Sequence, residues 1–105
     1  MPNYLLAYHG GKPPTSQSEM DQVIADWGAW FASIGEANIV DSGNPVGQSF
    51  TVSADGVVEN GGANPVSGYS IIKAENHDTA NEIAARNPMV TTGTGSVEVA
   101  EIFPM

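Results

Sequence analysis

Hydrophobic positions recur along this chain with two different periods, and the switches between them mark its elements. Tyr4-Leu5-Leu6-Ala7-Tyr8 is a near-continuous apolar run, the pattern of a central strand covered on both faces. Gly10, Gly11, Lys12, Pro13 and Pro14 stop it. The period then lengthens: Met20, Val23, Ile24, Trp27, Phe31 and Ile34 fall three and four apart, predicting an amphipathic helix from about Ser18 to Ile34. Ser16 or Ser18 can cap it, Glu19 and Asp21 suit its positive end, and Gly35 supplies a left-handed stop. Trp30 widens the stripe at its margin.

Ala37 to Val40 reads as the second strand, closing in the turn cluster Asp41-Ser42-Gly43-Asn44-Pro45. Ser49 to Ser53 and Val57 to Glu59 flank Asp55-Gly56, a strong hairpin signal. Asn60 to Pro65 reads as a loop and Tyr69 to Ala74 as the next strand. A second helix is predicted over Asp78 to Arg86, capped by Asn76 and ended by Pro88. Thr91 to Gly95 is a flexible approach to a last strand at Ser96 to Ile102.

Strand–helix–strand twice over is the plan of a ferredoxin-like α+β domain, βαββαβ with an inserted β-hairpin, spanning residues 1–105 as a single unit. Its sheet places the first and third main strands in the centre and its helices on one face. The other face is left bare, and an apolar patch of several hundred Å² is unusual on a soluble monomer. A homodimer closing that face is therefore expected.

Charge narrows the partners. Three basic residues stand against twelve acidic ones, a formal net charge of −9. Nucleic acid and anionic membrane surfaces both call for clustered Lys and Arg, so neither is expected as a partner. No apolar stretch approaches a bilayer span, no basic, apolar leader opens the chain, and there is no cysteine, which together predict a cytoplasmic protein. His9 and His77 lack metal-ligand spacing, so no metal is expected. Gly93-Thr94-Gly95 leads into a strand with no helix start to hold a phosphate, and no cofactor is expected.

Candidate chemistry is sparse. His9 ends the first strand beside a glycine pair and can serve as a general base, or it is simply the polar end of a strand. Asp41 closes the second strand, where its carboxylate can act as an acid–base group or merely accept the N–H groups of Gly43 or Asn44. If Val97 and Val99 face the helices, period two turns Glu98 toward the dimer cavity; the competing role is an edge-strand charge that deters aggregation. Lys73 is a candidate partner for Glu98 or Glu101. Strand three separates strands one and two, so a His9–Asp41 contact would have to arise through loops or across the dimer. Tyr4, Leu6 and Tyr8 share a strand face that can present two phenols opposite the helices. Trp27 and Phe31 read as core, whereas Trp30 reads as a ligand or interface residue. Tyr69 and Asn44 complete the set as orienting hydrogen-bonders.

Five segments are similar to the YCII-related family, which includes the DGPF-domain proteins: Tyr4-Leu5-Leu6-Ala7-Tyr8-His9-Gly10, Trp27-Gly28-Ala29-Trp30-Phe31, Asp41-Ser42-Gly43-Asn44-Pro45, Gly68-Tyr69-Ser70-Ile71-Ile72 and Ser96 to Ile102. The resemblance runs in order over essentially the whole chain. It implies a ferredoxin-like subunit that pairs into a dimeric α+β barrel, and a His–Asp pair in a cleft, proposed as catalytic in some members. Asp41 matches that aspartate. The histidine, which lies in the first helix of such members, has no counterpart here, where Trp27 and Trp30 fill the helix middle. The Asp-Gly-Pro-Phe signature is absent too; Asn60-Gly61-Gly62-Ala63 stands before the third main strand.

Two functions fit these observations. One is a cofactor-free acid–base enzyme acting on a small molecule, with His9, Asp41 and Glu98 as its catalytic groups and Asn44, Tyr69, Tyr8 and Trp30 contacting the ligand. The alternative is a non-catalytic dimeric ligand-binding or regulatory module.

Overall fold

The computed structural model describes residues 1–105. In chain order the elements are β1 (Asn3–Gly10), α1 (Gln17–Ile34), a 3-10 turn at Glu36–Asn38, β2 (Ile39–Pro45), β3 (Thr51–Ser53), β4 (Gly56–Val58), β5 (Val66–Lys73), α2 (His77–Ala85), α3 (Pro88–Thr91) and β6 (Gly95–Ile102). The four long strands form one antiparallel sheet in the order β2-β5-β1-β6, and β3 and β4 form a separate hairpin. This is the ferredoxin-like order, with the first and third main strands central and the hairpin inserted between the second and third.

Alternation along β1 divides the molecule. Tyr4, Leu6 and Tyr8 are buried, whereas Leu5, Ala7 and His9 on the other face are only half-buried. β5 repeats this with Gly68, Ser70 and Ile72 inward. Val97 and Val99 of β6 pack against the same core. The two phenols therefore lie beneath the helices, not opposite them as the sequence suggested. Aromatic packing decides the choice of face: the Tyr8 ring meets Trp27 edge-on at 5.1 Å, and Tyr4 lies 5.4 Å from the His77 ring. Both halves of the Tyr-Leu-Leu-Ala-Tyr alternation are apolar, so periodicity alone does not choose between them.

α1 starts as expected. The Ser16 hydroxyl accepts the Glu19 N–H at 3.2 Å, and Glu19 reaches back to accept the Thr15 N–H at 2.7 Å. Gly35, at φ 89°, ends it. Only Trp30 and Ile34 in its C-terminal half are buried; Met20, Val23 and Ile24 in the N-terminal half are exposed. α2 is capped by Asn76, which accepts the Thr79 N–H at 2.8 Å, and its buried Ala80 and Ala84 let it sit close to the sheet.

Two segments differ from expectation. Pro88 does not simply end a helix: with Asn87 as cap it opens α3, whose Met89 is buried and whose last residue, Thr91, begins the segment read as a flexible approach. The cluster Asp41 to Pro45 does not leave the sheet either. β2 runs through it with two irregularities in its pairing to β5. Gly43 permits this, since at φ +78° a Cβ there would lie 1.6 Å from the Tyr69 carbonyl oxygen.

The chain is flat. It measures 43 × 43 × 19 Å with a radius of gyration of 14.8 Å, against about 13 Å for a compact chain of this length. Its accessible surface is 6846 Å², where a monomer of this mass typically exposes about 5,600 Å². The open sheet face and the projecting hairpin account for this shape. No helix is long and apolar enough to cross a membrane.

Candidate functional site

A cavity of about 650 Å³ lies on the helix side of the sheet beneath the exposed half of α1. That volume is within the range that accepts small organic ligands. α1 supplies Glu19, Gln22, Val23, Asp26, Trp27 and Phe31, residues spaced so that one helix face overhangs the space. Tyr8 and Gly68 form the floor, the irregular end of β2 (Ser42 to Pro45) one wall, and Gly10 to Pro14 with Met89 another. Gly68 keeps that floor low, because a Cβ there would lie 3.3 Å from the Tyr8 ring. The cavity exists because the N-terminal half of α1 is left exposed over the sheet: Trp27 and Phe31 are partly buried against the core, and only Trp30 and Ile34 are fully buried.

The polar interior of this site is a short relay. The Tyr8 hydroxyl donates to Ser70 Oγ at 2.6 Å, and Ser70 donates in turn to the Ser42 carbonyl at 2.7 Å. Burial pushes the Tyr8 phenol up to about 12, against a smaller opposing effect of the Ser70 hydrogen bond. At neutral pH it is thus a neutral, oriented dipole whose oxygen retains acceptor capacity. Glu19, at the rim, is held below the usual carboxylate range by its two hydrogen bonds from Thr15, the backbone one contributing most, with Lys12 adding attraction. Asp26 accepts from Gln22 Nε2 at 2.7 Å.

The sequence-derived candidates fall into two groups. Tyr8, Asn44 and Tyr69 line the cavity. Tyr69 contributes only where the backbone of β5 passes, because alternation with buried Gly68 and Ser70 turns its side chain to the open face, away from the cavity. Trp30 does not line it: it is 4% exposed, with its indole N–H donating to the Ile83 carbonyl at 2.9 Å. Trp27, read as core, is the tryptophan that faces the cavity. A stripe drawn on a helical wheel gives direction but not depth, and the stand-off of α1 exchanges the two roles.

His9 and Glu98 lie across the sheet from the cavity. Val97 and Val99 face the helices, so Glu98 points to the open face, where its Oε1 is 2.9 Å from His9 Nε2. His9 Nδ1 lies 3.0 and 3.2 Å from the carbonyl oxygens of Asn64 and Pro65. The pair is a diagonal neighbour across β1 and β6, with His9 opposite Ser96 and Glu98 opposite Ala7.

Asp41 does not join them. Its carboxylate accepts the Gly43 N–H at 2.8 Å. It pairs with Ile71, which pairs with Leu5, placing it roughly 16 Å from His9 by strand geometry. Lys73 pairs with neither glutamate, since β1 lies between β5 and β6; the His9–Glu98 contact is the one close approach of a basic side chain to a carboxylate. His77 is exposed, with Nε2 donating to the Val99 carbonyl at 3.1 Å. No three His, Asp or Glu residues converge to hold a metal. Sequence reasoning passed over Gln22, Asp26 and Lys12 at the cavity; the signal was the 19, 22, 23, 26, 27 spacing on one helix face, read only for its apolar members.

No family model and no curated protein matches the chain. Among solved structures it is similar to 5-chloro-2-hydroxyhydroquinone dehydrochlorinase (TftG) from Burkholderia phenoliruptrix AC1100, solved in complex with 2,5-dihydroxybenzoquinone. The likeness covers 98% of this chain and 95% of that one at 19% identity, with a TM-score of 0.61. At that identity the likeness establishes the fold: an α+β ferredoxin-like chain of the kind the resemblance to the YCII-related family implies.

Proposed function

We propose that this chain is a YCII-related small-molecule-binding protein whose cavity beneath α1 takes a flat, ring-shaped organic ligand. The observation that carries this reading is the cavity's lining: Tyr8, Trp27 and Phe31 offer aromatic faces, while Asn44, Gln22 and Lys12 offer donors at the edge. That TftG binds a hydroxylated quinone on the same fold agrees with it. Titrating 2,5-dihydroxybenzoquinone and related hydroxylated aromatics while following tryptophan fluorescence tests it. Saturable quenching that disappears in Trp27→Phe but persists in Trp30→Phe is expected; no saturable response from any such compound would overturn it.

A second reading, acid–base catalysis by His9 and Glu98 on the open face, is supported by the 2.9 Å His9–Glu98 contact. It needs a second subunit to enclose the pair. We propose that the chain is a homodimer through that face, because about 1,200 Å² more surface is exposed than a compact monomer shows. Catalysis predicts that His9→Asn abolishes turnover of a bound compound while leaving its dissociation constant within about twofold. Equal turnover in His9→Asn would leave the non-catalytic module.

A further inference from the structure

Between β2 and β5 the chain leaves the sheet as an arm. Residues 46–58 carry one charge, Asp55, in thirteen positions, and they present Val46, Phe50, Val52, Val57 and Val58 at 42, 58, 74, 63 and 51% exposure. Side-chain bonds from Gln48 to the Glu59 carbonyl and from Thr51 to the Asn60 carbonyl hold the stem to itself. Its strands pair only with each other. Isolated two-stranded hairpins are marginal in water, and a bare valine-rich edge invites aggregation. Something must cover the arm.

We infer that the arm docks on a second copy of this chain, as the clasp of the homodimer proposed above. The inference rests on that dimer reading and deepens it. Charge depletion with aromatic and β-branched exposure is the composition of an interface core. The surface excess of about 1,200 Å² per chain is more than the ~800 Å² each partner contributes to a standard interface and suits an obligate dimer. The arm's root adjoins the open face, since the Asn64 and Pro65 carbonyls that end it sit on His9. A two-fold axis through that face then carries each arm toward the partner's uncharged Leu5, Ala7, Ile71 and Ala100. A protein partner of other sequence would have to match two adjoining apolar surfaces that already occur together on one chain.

Sedimentation of the full chain, and photo-crosslinking from position 52, test this. The chain has no cysteine, so Val52→Cys offers a single attachment point for a benzophenone probe. Mixed heavy- and light-isotope copies separate crosslinks between chains from those within one. We expect a dimer, inter-chain crosslinks to β1, β5 or β6, and at least a tenfold rise in dissociation constant for Phe50→Ser/Val52→Lys/Val57→Ser. These positions are exposed, and an unchanged circular dichroism spectrum verifies folding. A wild-type dimer that the triple variant leaves unchanged, with crosslinks only within a chain, would overturn the arm and leave the open-face dimer standing. A monomer at 100 µM would overturn both.

Discussion

The two faces of this sheet share four strands and little else. The covered face holds Tyr4, Leu6, Tyr8, Ser70 and Ile72, all within 5% exposure, and its Tyr8 and Ser70 hydroxyls are paired internally through the Tyr8–Ser70–Ser42 relay. The open face holds half-buried Leu5, Ala7 and Ile71 and the His9–Glu98 pair, whose glutamate is 70% exposed. One face is covered by the chain's own helices; the other is not. Stability and the candidate cavity therefore belong to the first face, and the proposed assembly and open-face chemistry to the second.

Leu6→Ala against Leu5→Ala is the strongest way to break that contrast. Leu6 is fully buried, and its truncation should cost about 3 kcal/mol in urea unfolding. Leu5, one residue away on the other face, should cost less than about 1.5 kcal/mol when the monomer unfolds. If the open face pairs with a second copy, Leu5→Ala instead weakens the dimer. Equal costs in the isolated monomer would show that the two faces do not differ as described.

Alkali probes the same contrast. Burial raises Tyr8 to about 12 and also raises Tyr4, where Glu101 adds to the effect of burial. Below the ordinary phenol value of 10 folded and unfolded chains both hold the proton, and this contribution to stability is fully present. Above it the unfolded chain ionises first, so stability falls until the folded Tyr8 titrates near 12 and then levels off. The loss should reach roughly 2 kcal/mol, allowing for water that reaches the ring through the cavity. Tyr8→Phe should flatten most of the fall and remove the late-titrating phenol from absorbance at 295 nm.

The tryptophans sharpen the comparison within the covered face. Trp30→Phe empties space in the core and removes one of the two donors to the Ile83 carbonyl, leaving the Arg86 N–H, a loss of about 2 kcal/mol. Trp27→Phe, at the cavity wall, should cost less than about 1 kcal/mol and change ligand response instead. Acrylamide should quench Trp27 well before Trp30.

Much of this architecture was legible because local signals and tertiary packing agree. Ser16, Asn76, Gly35 and the Ala54-Asp55 turn closed by Gly56 each do locally what the fold requires, and the valines of β6 place Glu98 on the open face. What was not legible depends on distances between elements. Trp27 and Trp30 differ by three positions on one helix, and only the stand-off of α1 makes one a wall and the other a core residue. Asp41 to Pro45 has turn composition, yet the β5 ladder holds it in the sheet wherever Gly43 lets the Tyr69 carbonyl approach. Pro88 closes one helix and, with Asn87 before it, opens the next.

The smallest effect lies at the overhanging half of α1, where the covered face is least complete. Ser16→Ala removes the cap and should cost about 1 kcal/mol. Its partner Glu19 is held below the ordinary carboxylate value by Thr15, so its contribution is present above that value and lost as pH falls through the lowered one. Glu19→Gln should reduce the acid dependence of unfolding over that window. Amide exchange should show the loosening confined to residues 17–24, because the helix is pinned beyond them by Trp30 and Ile34. Loosening that spreads instead to Trp30 would mean that the overhang and the packed half unfold as one unit, and that the cavity is held open by the rigidity of the whole helix rather than by a separable end.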